Sequence, residues 1–184
     1  MSVNLYISAS NRKGNSYNFL TKIKKDDDIL VSVADLNIKY CIGCNCCQKN
    51  DTNSCILKDD MNKLYSYIEK SDKIIIMSPI YMNHITGILK SILDRFNPYC
   101  ANEKLKNKII MLITVGQMSE EEQAEIVEKI DEYFKSISEF LYFDFKYLCN
   151  LTSGDVLDID SIEKAYSKEN LDKIVQDIKN EISL

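Results

Sequence analysis

The sequence predicts a doubly wound α/β fold, in which a five-stranded parallel sheet carries helices on both faces. Short runs of β-branched and apolar residues alternate with longer amphipathic stretches along the 184 residues, which is the pattern of strands joined by crossover helices. Two of the runs, residues 73–78 and 108–114, are apolar almost throughout, as expected of central strands covered on both faces. Length and a composition of 45% hydrophobic and 28% charged residues fit one folded domain spanning residues 1–184.

The predicted elements alternate in order along the chain. Strands are predicted at residues 3–8, 29–33, 73–78, 108–114 and 141–148. Helices are predicted at residues 15–25, 60–70, 85–96, 119–139 and 168–182. Ligands of such sheets bind outside the carboxyl ends of the strands. A site is therefore expected in the segments that follow the first four strands, residues 8–16, 34–59, 78–86 and 114–119.

Two of the helices carry clear signals. In the stretch 85–96, apolar residues recur at helical spacing at Ile88, Leu89, Ile92 and Leu93, which predicts an amphipathic helix. The stretch 119–139 opens on a run of three glutamates, and negative charge favours a helix start.

Charge and segment composition exclude several classes of protein. The formal net charge is -5, with both signs interspersed, so the chain offers no general attraction to nucleic acid or to an anionic membrane. The sequence shows no basic leader segment and no apolar run near the roughly 20 residues that cross a bilayer. A cytoplasmic location is the expectation, and in that compartment the seven cysteines are read as thiols or metal ligands in preference to disulfides.

The loop after the first strand has the composition of a phosphate site. It is followed by a helix start, whose unpaired N–H groups and dipole favour an anion. A Walker motif and a dinucleotide glycine motif are both missing, which favours a single phosphomonoester. The alternative is a surface turn in which Ser16 only caps the helix. The candidate phosphate ligands are Ser8, Ser10, Arg12, Asn15 and Ser16.

Two segments resemble the flavodoxin-like NAD(P)H-dependent FMN reductases and their iron–sulfur flavoprotein relatives. Residues 8–16 align without a gap with the family's GSPRKNGNT loop, although Ser8 replaces the glycine and Asn11 stands at the usual arginine, with Arg12 next to it. Residues 78–95 resemble the signature SPIYxxxxxGxLKxxxDR. The resemblance implies a flavodoxin-like fold, bound FMN, NAD(P)H as hydride donor and a small electron acceptor of flavin or quinone type. It also implies a homodimer or tetramer, because the family builds flavin sites near subunit contacts.

The same resemblance assigns two further loops to the flavin, which itself carries the hydride, so no catalytic side chain is assigned. Taken alone, His84 is more often a packed or solvated side chain than an acid, and Arg95 is expected to form a structural ion pair or an interface contact. The third loop, at residues 114–116 after the fourth predicted strand, has less glycine than the family usually shows. The residues implied at the polar edge of the flavin are Pro79, Ile80, Tyr81, Met82 and Asn83, with Thr114, Val115 and Gly116 from the third loop.

Five of the seven cysteines lie in the segment 41–59. Four of them, Cys41, Cys44, Cys47 and Cys55, give the spacing C-x2-C-x2-C-x7-C, which is compact enough to hold a [4Fe–4S] cluster. The iron–sulfur flavoproteins ligate a cluster with these four cysteines, but cluster-free relatives carry nearly the same pattern before an Asp-Asp-Met sequence. Zinc or a regulatory disulfide is a third interpretation, and Cys46 is an extra thiol.

Two functions follow from the resemblance. The first is an FMN-dependent NAD(P)H oxidoreductase that passes electrons to a small acceptor. The second is an electron carrier in which FMN exchanges electrons with a [4Fe–4S] cluster and then with a ferredoxin-like protein. Receiver domains and low-molecular-weight phosphatases also use this fold, but the first strand ends without acidic residues and the cysteines lie in no C-x5-R loop.

Overall fold

The computed structural model describes residues 3–153 and 161–184. Five of its strands form a parallel sheet in the order β2-β1-β3-β5-β6, and the two-residue strand β4 pairs antiparallel with β3. The strands are β1 (Leu5–Ser8), β2 (Ile29–Ser32), β3 (Lys73–Tyr81), β4 (His84–Ile85), β5 (Ile109–Gly116) and β6 (Asp144–Thr152). The predicted doubly wound parallel sheet is confirmed, and β4 is the one addition to the predicted five strands.

Helices cover both faces of this sheet. They are α1 (Asn15–Ile23), α2 (Cys46–Lys49), α3 (Met61–Lys70), α4 (Gly87–Asp94), α5 (Tyr99–Asn102), α6 (Glu120–Leu141), α7 (Ser161–Ala165) and α8 (Lys168–Ser183). No helix in residues 3–153 or 161–184 is long and apolar enough to cross a membrane.

The core consists of two layers, because side chains alternate between the faces of each strand. On one face, Ile74 and Ile76 of β3 belong to a cluster built with α3, α4 and α6. On the other face, Ile75 and Met77 pack with α1 and α8. All four side chains are at most 1% exposed, which agrees with the prediction that the apolar runs are central strands.

The prediction of the last strand at residues 141–148 is wrong in its placement. Helix α6 continues to Leu141, and Tyr142 then turns the chain with a φ of 60°. The aromatic residues near 140–145 favour a strand locally. However, the buried residues Ile130, Phe134 and Leu141 keep helical spacing, so packing against the sheet extends the helix to that point.

The start of the third predicted helix also differs from the predicted residue 85. His84 and Ile85 form β4, and Thr86 is the N-cap, whose hydroxyl accepts the Leu89 N–H at 3.2 Å. The helix therefore begins at Gly87, after a hairpin that occupies the predicted flavin-edge loop.

Candidate functional site

Three loops meet at the carboxyl edge of the sheet, at the point between β1 and β3 where the strand order reverses. The Ala9 N–H donates to the Met77 carbonyl at 2.9 Å. The Thr86 hydroxyl donates to the Ala9 carbonyl at 2.8 Å, and the Thr86 N–H donates to Ser78 Oγ at 3.2 Å. Thr86 thus joins the predicted phosphate loop to the predicted flavin-edge loop, and ligands of doubly wound sheets bind at such a reversal.

The phosphate loop presents buried hydroxyls at the start of α1. Ser8, Ser10 and Ser16 are 0%, 4% and 2% exposed. Within the described residues, the hydroxyls of Ser8 and Ser16 have no hydrogen-bond partner. Gly14 is the N-cap and makes no side-chain cap bond, so Ser16 is not the cap that the alternative interpretation requires. Buried unpaired hydroxyls are costly, and an anion at this helix start would accept their hydrogen bonds.

The remaining polar residues of this loop have separate environments. The Asn15 side-chain oxygen accepts the Ile162 N–H at 3.3 Å, which ties α1 to α7. Lys13 pairs with Asp35 at 2.7 Å and lies 5.4 Å from the centre of the Tyr17 ring. Arg12 is exposed, so its guanidinium is accessible from the solvent.

The β3–β4 hairpin turns through Met82 and Asn83, with φ angles of 48° and 60°. Two successive positive φ angles are the mark of a tight two-residue hairpin turn. Asparagine tolerates this conformation better than methionine does. Met82 is 97% exposed and Tyr81 is 47% exposed, while Pro79 and Ile80 are half-buried. His84 packs edge-on against Tyr133, with 5.3 Å between the ring centres, as expected for a packed side chain.

The third loop depends on one close contact. A Cβ on Gly116 would lie 1.8 Å from Gln123 Oε1. Gln123 is fully buried, and its amide nitrogen donates to the carbonyls of Met118 and Ser119. A larger residue at 116 would displace the Gln123 side chain from this arrangement, which shapes residues 116–119.

Thr114 and Val115 are both buried, at 0% and 5% exposure. The Thr114 hydroxyl contacts the Tyr147 hydroxyl and donates to Asn150 Oδ1 at 2.7 Å. The Thr114 side chain is therefore hydrogen-bonded to residues of β6. A ligand would then contact the backbone of this segment.

The cysteine loop surrounds a cavity of about 340 Å³. All four cysteines of the predicted cluster motif lie in its wall, whereas Cys46 does not: the lining cysteines are Cys41, Cys44, Cys47 and Cys55. Over the described part of the chain, no three potential metal ligands converge as they do around a single ion. Cysteines spread around a cavity suit a cluster, which takes one thiolate per iron, better than zinc, which needs its ligands at one point.

The thiols differ in exposure and in acidity. Cys41 and Cys44 are exposed, Cys55 is half-buried and Cys47 is buried. Hydrogen bonds from the Cys46 backbone and thiol lower the pKa of Cys44. The thiolate is the form that binds metals, and the lowered pKa favours that form of Cys44. Burial raises the pKa of Cys149 in β6 to about 12, so this thiol stays protonated near neutral pH.

A buried ion pair closes the base of the cysteine loop. Arg95 is 1% exposed, and its two terminal nitrogens donate to the two Asp59 carboxylate oxygens at 2.8 and 3.2 Å. Arg95 also donates to the Lys39 carbonyl, and Asp59 accepts the Lys39 N–H, both at 2.8 Å. Lys39, which precedes the cysteine loop, is thus bound to Asp59 at its end, and the structural ion pair predicted for Arg95 is confirmed.

Sequence reasoning missed Asn97, which also lines the cavity. Its side-chain nitrogen donates to Cys47 Sγ at 3.1 Å. The available signal was its position two residues after Arg95, which anchors the loop, but nothing in the local pattern connects residue 97 with residue 47.

The strand order and the three loops at its reversal define a flavodoxin-like α/β protein with a candidate FMN site. A family model described as NADPH-dependent FMN reductase matches residues 4–130. The chain therefore belongs to the NADPH-dependent FMN reductase family, as the resemblance of residues 8–16 and 78–95 predicted.

Known proteins agree with this membership. The chain is 30% identical over 104 residues to an iron–sulfur flavoprotein of Methanocaldococcus jannaschii, covering 56% of this chain and 53% of that protein. It is 34% identical over 94 residues to an iron–sulfur flavoprotein of Archaeoglobus fulgidus, covering 49% and 42%. The matches thus span about half the length of these curated relatives. The crystal structure of an azoreductase from Bacillus anthracis str. Sterne has a TM-score of 0.66 at 15% identity and covers 98% of both chains, which shows the shared fold.

Proposed function

We propose that this protein is an FMN-dependent oxidoreductase that accepts a hydride from NADH or NADPH and passes electrons to a [4Fe–4S] cluster held by its cysteine loop. The single observation that carries the cluster is that the four cysteines of the motif line one cavity while the fifth does not. Both relatives are named iron–sulfur flavoproteins, which supports the same assignment.

The residues for FMN follow from the geometry of the carboxyl edge. The unpartnered hydroxyls of Ser8 and Ser16, with Arg12, would hold the phosphate, and the hairpin at residues 79–83 with the backbone of 114–116 would border the flavin. Bound FMN supplies hydride and one-electron chemistry. The protein contributes position: Thr86 fixes the spacing between the phosphate loop and the hairpin through its bonds to Ala9 and Ser78.

The proposed partners follow from this chemistry. A one-electron cluster would deliver electrons to a ferredoxin-like protein or to a small acceptor. Separately, we propose that the chain forms a homodimer or tetramer. The net charge of -5 gives no reason to propose nucleic acid or an anionic membrane as a partner.

A second candidate is a cluster-free NAD(P)H oxidoreductase that reduces a flavin or quinone directly. It is favoured by the description of the matched family. In this candidate the cysteine loop would be a structural segment.

One preparation separates the candidates. The protein is expressed and purified without oxygen, FMN and iron are counted per chain, and the absorption spectrum is recorded before and after addition of NADH or NADPH. About four irons per chain together with FMN supports the cluster. FMN with NAD(P)H oxidation but no iron, even after reconstitution with iron and sulfide, selects the second candidate. Failure to bind FMN contradicts both.

A further inference from the structure

Asn97 lies in the wall of the cysteine cavity, three residues after the end of α4. We propose that Asn97 is a positioning residue of the cysteine site, whose side-chain N–H bonds the Cys47 sulfur and raises the reduction potential of the cluster. The inference rests on the proposed cluster and deepens it, because it assigns to one residue outside the cysteine motif the task of setting the potential.

The contact is short and sheltered. The distance from Asn97 Nδ2 to Cys47 Sγ is 3.1 Å. Cys47 is 8% exposed, and it is the buried member of the four cavity cysteines. A hydrogen bond is electrostatically stronger where water is excluded, so this N–H acts on the sulfur that is least screened by solvent.

The neighbours of Asn97 fix which end of its amide faces the sulfur. Gln48 Nε2 donates to the Asn97 backbone carbonyl at 2.5 Å and approaches the side-chain oxygen at 3.5 Å. The Cys100 thiol donates to the same side-chain oxygen at 3.8 Å. Two donors therefore face the amide oxygen, and the amide nitrogen, which only donates, is left for Cys47.

The direction of the effect follows from charge. Reduction adds one electron to a cluster and makes its thiolate sulfurs more negative. An N–H donor stabilises the more negative state more strongly, and hydrogen bonds to the sulfurs are among the factors that set cluster potentials. Removal of this donor is therefore expected to shift the potential to more negative values.

Two substitutions isolate the donor. Asn97→Asp keeps the oxygen that faces Gln48 and Cys100 but replaces the N–H donor with a carboxylate oxygen. Asn97→Leu removes donor and acceptor without adding charge. Asn62→Leu is the matched control, because Asn62 is an exposed asparagine beside the loop whose side chain donates to the Leu57 carbonyl at 3.5 Å and to no cysteine.

The test measures iron per chain and the midpoint potential of the cluster in anaerobic redox titrations followed by electron paramagnetic resonance. We expect the wild type and Asn62→Leu to share one potential, Asn97→Leu to lie below it and Asn97→Asp to lie lowest. Equal potentials in all four proteins would overturn the role of Asn97 while leaving the cluster in place.

Other outcomes are equally informative. If the wild type holds no iron, the proposed cluster and this inference fall together. If one variant loses its iron, the potential of the other variant still supports or overturns the role of Asn97. Loss of iron from both variants overturns the tuning role, since Asn97 would then be needed to retain the cluster and not to set its potential.

Discussion

The Asp59–Arg95 pair is a buried ion pair at the end of the cysteine loop. Both side chains are at most 1% exposed. Burial alone would raise the pKa of Asp59, but hydrogen bonds from Arg95 and from backbone N–H groups lower it below its usual value. The carboxylate is therefore charged under ordinary conditions, and each partner compensates the other.

We expect Arg95→Met to destabilise the protein by about 3–5 kcal/mol, because removal of one partner leaves a buried carboxylate uncompensated. Urea unfolding gives the free energy. The matched control is Lys90→Met, which removes the cation of the exposed Lys90–Asp94 pair and is expected to cost about 0.5 kcal/mol or less. Equal losses in the two variants would contradict a special role for the buried pair.

Ser16 offers a test of the phosphate loop that separates binding from stability. Its hydroxyl is buried without a partner among the described residues, so Ser16→Ala is expected to leave the free energy of unfolding of the FMN-free protein unchanged or higher. If the hydroxyl bonds the phosphate, the same change weakens FMN binding roughly 10- to 150-fold, since a charge-assisted bond contributes roughly 1.5–3 kcal/mol.

Fluorescence titration with FMN and urea unfolding of the FMN-free protein measure the two effects. Tyr99→Phe is the control, because Tyr99 also has a buried hydroxyl without a partner among the described residues but lies behind the cysteine loop, away from the carboxyl edge. We expect the control to bind FMN like the wild type. Unchanged FMN affinity in Ser16→Ala would remove Ser16 from the phosphate site.

At the scale of elements, the cysteine loop and the FMN loops are separate units. The loop spans the chain between Lys39 and Asp59 and is closed by Arg95, whereas the FMN loops are joined through Thr86 and Ala9. Loss of one site is therefore not expected to abolish the other.

We expect Cys55→Ser to remove most of the iron from anaerobically purified protein while FMN stays bound. Cys46→Ser is the matched control, because Cys46 belongs to the same loop but does not line the cavity. Iron analysis and the flavin absorbance of both variants measure the outcome. Equal iron loss from the two variants would mean that the cavity does not define the ligand set.

The elements also show which structural features could be predicted from the sequence. The apolar runs predicted β3 and β5 because burial on both faces leaves a direct mark on composition. The end of α6 was missed because local aromatic residues favour a strand, and only packing of Leu141 on the sheet reveals the helix. The cysteine spacing singled out the four thiols that line the cavity, but Asn97 was missed because its contact with Cys47 joins segments that lie 50 residues apart.

For the whole molecule, the strand order brings loops that are far apart in sequence to one edge. The parallel pairing of β1 with β3 and of β3 with β5 places the ends of these strands side by side. Because the strands are parallel, their carboxyl ends lie at the same edge of the sheet, so a site formed by residues near 10, 80 and 115 is a consequence of topology.

The surface around the cysteine cavity bears apolar side chains that a monomer would leave in water. Tyr40, Ile42 and Ile56 are 77%, 65% and 51% exposed. Large exposed apolar patches are typical of interaction sites, so we expect this group to contact another chain. Phe140 is equally prominent, at 67% exposure. However, it lies at the end of α6, next to the amino end of β6, and therefore on the opposite edge of the sheet.

We expect the protein to be a homodimer or tetramer whose subunit contact includes Tyr40, Ile42 and Ile56. Sedimentation at micromolar concentration should give at least twice the chain mass of 21.2 kDa. Ile42→Asp is expected to shift the protein toward the monomer, because it places a charge in an apolar contact, whereas Phe140→Asp should leave the assembly intact. A wild-type monomer would contradict the assembly, since closed oligomers bury such self-complementary patches. An oligomer that dissociates only in Phe140→Asp would place the contact on the other edge of the sheet.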